Sequence, residues 1–183
     1  MTNDEQVFVI REREGYSPKI GLMVSMLTNS RHYLSNAVRD LSVEELDAKP
    51  KGASNTIGSL LAHLAAAETL FQCITFFERR FNDEEENLRG RDFRLESSDA
   101  PRGRKLESYL QDLSSVRAKT LEEMRTRDDT WLEKSRTFSG HPANLHYFWL
   151  HYLQDEARHT GQISSIRKHL LPNSDANFDP YNF

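Results

Sequence analysis

Of its 183 residues the chain has a single cysteine, Cys73, so no intrachain disulfide can staple it, and that usage fits a reducing compartment. It lacks any stretch approaching the ~20 consecutive apolar residues that cross a bilayer. It also lacks internal repeats and low-complexity runs. A surplus of positive charge is missing too: 24 Lys and Arg against 28 Asp and Glu leave a formal charge of −4. Without a global basic field, nothing draws the chain to a phosphate backbone, so neither nucleic acid nor membrane is an expected partner. The local basic stretch Arg89, Arg91, Arg94, Arg102, Arg104 and Lys105 follows Asp83, Glu84, Glu85 and Glu86, and only Phe93 is interleaved. It reads as a solvated connector. From Met1 to Gly15 the only apolar run is Val7 to Ile10, too brief for the apolar part of a signal peptide. The cytoplasm is the expected location.

Apolar residues make up 37% and charged residues 28%, the balance of a water-soluble domain with a solvated surface. The length suits one domain over residues 1–183, with 1–16 as a polar N-terminal extension. From Ser17 to Leu41, Ile20, Val24, Leu27, Leu34, Val38 and Leu41 recur at helical spacing, with Arg31 interrupting the stripe. Ser17 and Pro18 suit a cap and first helical residue. Ser42 with Glu45 is a capping box for a short helix. A second long helix is predicted from Ser54 or Asn55 to Phe81, a third from Lys105 to Arg127, and a fourth from Asn144 to Leu170, ended by Pro172 and Asn173. Between them lie a long connector at 82–104 and another from Asp128 to Ala143. No segment reads as a convincing strand. The expected fold is all-α, a four-helix bundle with long connectors.

The last helix carries a polar stripe. His151, Asp155 and His159 are spaced by four and share a face, and Gln162 extends it. Phe148 and Ile166 close the stripe at either end, so its middle faces the interior. A carboxylate between imidazoles in such a place needs charge compensation, which a bound cation supplies. His63, in Leu60-Leu61-Ala62-His63-Leu64-Ala65-Ala66-Ala67, is the candidate third ligand from a facing helix. Two histidines and one carboxylate suit zinc, nickel, iron(II) or manganese and leave positions open for water or substrate. A plainer reading stands beside this one, with His63 a hydrogen-bonded core residue and Asp155 and His159 an i,i+4 ion pair.

The segment Asn55-Thr56-Ile57-Gly58-Ser59-Leu60-Leu61-Ala62-His63, with His151-x3-Asp155-Glu156-x2-His159-x-Gly161-Gln162-Ile163 on a distant helix, resembles the DinB/YfiT-like superfamily of metal-dependent enzymes over most of the chain. The resemblance implies a bundle holding nickel or zinc through one histidine of the second helix and an HxxxH pair of the last. His63 matches the first ligand and His159 the last. Asp155 stands where the middle histidine is expected, a harder and more anionic ligand. His151 matches a histidine frequent one turn earlier, a ligand or proton-transfer group and the candidate catalytic residue. Glu156 is expected to point outward or to support a ligand, Gln162 to hydrogen-bond a ligand or bound water, Gly161 to admit a neighbouring helix, and Trp149, Phe148 and Tyr147 to build the core or a dimer contact. Cys73 is too far along its helix to be a ligand.

Relatives in the superfamily include transferases and isomerases that use low-molecular-weight thiols such as bacillithiol or mycothiol. The implied function is a thiol-dependent S-transferase acting on small electrophiles, as a homodimer. Two alternatives stay open: a metal-dependent small-molecule hydrolase, and a non-catalytic, stress-associated binding protein.

Overall fold

The first long helix begins where the proline rule places it, α1 running Pro18–Ala37 with Ser17 before it in extended conformation. In the computed structural model, which describes residues 7–95 and 101–170, the order continues as α2 (Val43–Asp47), α3 (Ile57–Thr75), α4 (Asp83–Glu85), a π-helical turn (Glu86–Gly90), α5 (Arg91–Arg94), α6 (Leu106–Arg125), α7 (Asp129–Leu132), β1 (Ser135–Phe138), β2 (His141–Asn144) and α8 (Leu145–Leu170). The protein is mainly α, with a small antiparallel two-stranded sheet. Pro172 and Asn173, expected to stop α8, lie outside the described residues.

Helix starts follow the capping chemistry. Ser42 and Glu45 form the expected box at α2. Thr56 and Ser59 form another at α3, one residue beyond the predicted start. Ser17 does not cap its own helix. Its hydroxyl donates to Asp129 Oδ1 at 2.6 Å, and the same carboxylate accepts from the backbone N–H of Lys19 and Ile20 at 3.0 and 3.2 Å. A side chain from α7 thus supplies the anion that an N-terminus favours.

Three expectations are corrected. Helix α3 ends at Thr75, six residues before Phe81, because the chain turns through Phe76 and Glu78 takes a left-handed φ of 54°. The connector at 82–104 is helical from Asp83 to Arg94: Asn82 and Glu85 cap its start reciprocally, and Leu95 ends it at φ 52°. The segment between α7 and α8 contains a hairpin, with Ser135 opposite Asn144 and Phe138 opposite His141. Its turn residues Ser139 and Gly140 both have positive φ, 49° and 82°, the backbone a two-residue hairpin turn demands.

By length and composition alone α3 is apolar enough to cross a membrane, contrary to expectation, with a mean hydropathy of 1.4 over its most apolar window. Of that window 83% is buried inside the fold, so its apolarity serves the core. It packs on α6 and α8, while α1 packs on α8 and α6.

Two apolar clusters result. One gathers Leu34, Leu46, Leu60, Leu64, Leu113 and Ile163, and the other Ile20, Leu27, Phe71, Trp131, Trp149 and Tyr152. Between them the four long helices each contribute one charged side chain: Arg31 from α1, Glu68 from α3, Arg117 from α6 and Glu156 from α8. Arg31 donates to Glu156 Oε1 at 2.6 Å and Glu68 Oε2 at 2.9 Å. Arg117 donates to Glu68 Oε1 at 2.6 Å and Glu156 Oε2 at 3.3 Å. Thr120 and Tyr152 hydroxyls complete the Glu68 carboxylate at 2.7 and 2.8 Å. Both glutamates are 0% exposed. Burial raises the Glu68 pKa, but Arg117 and Arg31 outweigh it and hold the group down at about 2. Arg31 therefore interrupts the α1 stripe to reach a charged layer inside, and Glu156, expected outside, belongs to the same layer.

Candidate metal centre

The polar stripe of α8 and His63 of α3 meet where these two helices pack. One ligand atom from each of His63, Asp155 and His159 can be chosen so that all three lie within 4.8 Å of one another. His63 Nε2 stands 3.3 Å from Asp155 Oδ2, and His159 Nε2 stands 3.4 Å from Asp155 Oδ1. The two imidazoles meet edge to face, with centroids 4.7 Å apart. His63 and His159 are 8% and 7% exposed, and the Asp155 side chain 17%, so the group is largely shielded from solvent.

The outer nitrogens decide what the inner ones can do. His63 Nδ1 lies 2.9 Å from the backbone carbonyl of Phe93, which can only accept, so the Nδ1 proton is donated there. His159 Nδ1 lies 2.8 Å from Gln162 Oε1 and donates in the same way. In the neutral imidazoles this leaves both Nε2 atoms as lone-pair acceptors, facing a third acceptor, the Asp155 carboxylate. Three acceptors with no proton among them call for a cation, and an anchored Nδ1–H on each imidazole is the support that metal-binding histidines have. The residues present thus fit a divalent ion of the first transition row.

Protons can fill the same gap. Burial favours neutral forms, but hydrogen bonds from His159 and His63 outweigh it and hold the Asp155 carboxyl well below the usual range. His159 is pulled upward by Asp155 and Gln162 against its own burial. Arg158 adds a long contact to Asp155 Oδ1 at 3.4 Å from an exposed position, which contributes little.

Other predicted residues take different places. His151 sits one turn before Asp155 among aromatic rings, stacked on Phe71 at 6.0 Å and against Phe138 of the hairpin at 4.7 Å. The ligand cluster does not include it. Gln162 holds His159, as its spacing allowed. Gly161, expected to admit a neighbouring helix, would have nothing within 4 Å of an added Cβ, so no close packing explains it. Trp149 and Phe148 are core residues, and Tyr147 is 40% exposed. Cys73 is buried and faces Glu85 at 3.6 Å, away from the cluster.

Sequence reasoning missed the Phe93 carbonyl. A backbone atom leaves no residue signature, although Phe93, the lone aromatic of a charged stretch, was visible. Its ring also stacks on His63 at 5.9 Å. The charged layer did leave a signal in the sequence: Arg31, Glu68 and Glu156 occupy or adjoin apolar stripes.

No curated protein gives a significant match to this sequence. A family model described as mycothiol-S-transferase matches residues 22–171, from within α1 past the end of α8, and so takes in the whole His63, Asp155 and His159 cluster. The chain belongs to the mycothiol S-transferase family, within the DinB/YfiT-like superfamily.

Proposed function

We propose that this protein is a metal-dependent S-transferase that joins mycothiol to small electrophiles, with His63, Asp155 and His159 holding a divalent cation, nickel or zinc before iron or manganese. The observation that carries this reading is the convergence of three acceptor atoms whose imidazole partners have already committed their Nδ1 protons to Phe93 and Gln162. The family supplies the thiol. The proposal extends to architecture and setting: residues 1–183 as one domain, α1, α3, α6 and α8 as a DinB-type four-helix bundle, a homodimer, and a cytoplasmic enzyme.

A bound divalent cation would supply the positive charge that favours thiolate over thiol. The chain's own residues do the rest. His63 and His159 present Nε2 lone pairs in fixed orientations, and Asp155 sets the net charge of the site. A ligand trio of two neutral imidazoles and one carboxylate leaves a divalent site with one positive charge, enough to hold an anionic sulfur. Phe93 stacks its ring on His63 and its carbonyl holds the imidazole's orientation. His151, one turn before Asp155 on α8, is the proposed group that takes up the thiol proton. In the overall reaction the thiol loses its proton, its sulfur electron pair forms a bond to the electrophilic carbon, and the leaving group departs with the pair that held it.

The test is conjugation of mycothiol to a chromogenic electrophile such as chlorodinitrobenzene by untagged, metal-loaded protein. Turnover above the uncatalysed rate, lost with chelator and in His63→Ala, is expected. Chelator-insensitive turnover, or an unchanged rate in His63→Ala, would sink the reading.

A further inference from the structure

Beside the cluster, beyond Gln162, a cleft of about 360 Å³ lies between the loop before α3 and the last turns of α8. Its floor is apolar, formed by Leu60 and Ile166, and its walls carry Ser54 and Asn55 on one side and Gln162 and Ser165 on the other. These four polar groups are hydroxyls and carboxamides, which both donate and accept hydrogen bonds. Lys51 is the one permanently charged side chain lining the cleft, which His169 also lines. Such a lining suits a neutral ligand whose own groups both donate and accept, and whose carbon skeleton can rest on an apolar floor. Vicinal ring hydroxyls on a cyclohexane or pyranose ring have that character.

Gln162 joins the cleft to the cluster. Its Oε1 is committed to His159 Nδ1 at 2.8 Å, which leaves its Nε2 amide, with two N–H donors, to offer to the cleft. Leu60 lies one helical turn before His63 on the same face, so the floor of the cleft leads toward the ligand atoms. A molecule with a polyhydroxylated body and a thiol arm can lie with its body in the cleft and its arm past Gln162.

We propose that this cleft binds the polyhydroxylated part of the thiol co-substrate, and that Ser54, Asn55, Gln162 and Ser165 are its specificity-determining residues. The assignment rests on the mycothiol reading above and names where the glucosaminyl-inositol portion of that thiol sits. The cleft disfavours acidic tripeptide thiols, because Lys51 is the single permanent cation among its lining residues, with only His169 beside it to answer their carboxylates.

The experiment separates the cleft from the chemistry. Thiol-free glucosaminyl-inositol is titrated into the full-length, metal-loaded protein by calorimetry, and into Ser165→Trp and Ser54→Trp, which fill the cleft from opposite walls. Metal content is checked in each. Saturable binding to the wild type, weakened at least tenfold in either folded variant with metal content unchanged, is the expected result. No binding to the wild type, or equal binding in the variants, would overturn the assignment. Conjugation assays with mycothiol and with N-acetylcysteine run in parallel. Catalysis with mycothiol and an unchanged KM in both variants would discard the cleft and keep the S-transferase. Binding of the sugar without any conjugation would keep the cleft and discard the S-transferase.

Discussion

At the scale of single residues, the site turns on which nitrogen of each imidazole is occupied. His63 and His159 both donate Nδ1–H, one to a backbone carbonyl and one to a side-chain amide. The second anchor is open to mutation. Gln162→Ala frees the His159 ring and is expected to weaken metal binding about 10–100-fold, measured by competition with a chromogenic chelator, with little change in the thermal midpoint of the apo protein. Asp155→Asn removes the only negative charge among the three proposed ligands and should weaken it further still. The pH dependence follows from the protons that a cation must displace. His159 has its pKa raised above 6.5, so protons compete there already above that pH, and loading should fall as pH drops through that region. Asp155 is shifted the other way and stays anionic throughout. Chelator competition across pH 5 to 8 checks this. Loading that is flat over that range would contradict the assignment of His159 as a ligand.

At the scale of elements, capping chemistry and apolar spacing make the long helices legible in the sequence alone. Pro18, the Ser42 and Glu45 box and the stripe on α8 fix starts and faces to within a residue or two. The short elements are not legible, for physical reasons. The turns from Asp83 to Arg94 are too brief to show periodicity. They are held by contacts between residues three to eight apart, reciprocal capping between Asn82 and Glu85, the Arg79 to Glu85 pair and Arg94 against Glu86, which leave no apolar stripe to read. The hairpin leaves only one cue, Ser139-Gly140. These elements matter to the site, since α5 brings the Phe93 carbonyl to His63 and β1 brings Phe138 to His151. Gly58 shows how tightly α3 is seated: a Cβ there would stand 2.8 Å from the Tyr109 hydroxyl of α6 and 3.3 Å from the Leu46 carbonyl at α2. Gly58→Ala should therefore destabilise the protein by about 1–3 kcal/mol in chemical denaturation, as overpacking does, despite alanine's better helix propensity. A neutral or stabilising result would mean that α6 yields easily.

At the scale of the molecule, the layer of Arg31, Glu68, Arg117 and Glu156 divides the apolar core and fixes how four helices face one another. Because Glu156 must point into that layer, Asp155 is turned about 100° from it, toward His63. The α8 members of the proposed metal cluster stand out in the sequence because they share one helical spacing. The layer is legible only as charged residues on or beside apolar stripes, because its four members come from four helices and only the assembled fold pairs them. Glu68, at about 2 against an ordinary 4.5, gives stability that is full above pH 4.5 and is lost as pH falls toward 2, on the order of 3 kcal/mol. Denaturant midpoints between pH 6 and 3 should fall accordingly. Arg117→Met, which leaves two buried carboxylates sharing Arg31, should cost about 3–5 kcal/mol at neutral pH.

Three side chains from two helices are proposed to form one cation site, and elemental analysis reads that site without recourse to activity. Protein purified without a histidine tag and dialysed against trace nickel and zinc should retain close to one divalent ion per chain by mass spectrometry, and His63→Ala, folded by circular dichroism, should retain almost none. A wild-type protein that emerges without metal, or a His63→Ala variant that holds as much as the wild type, would contradict it.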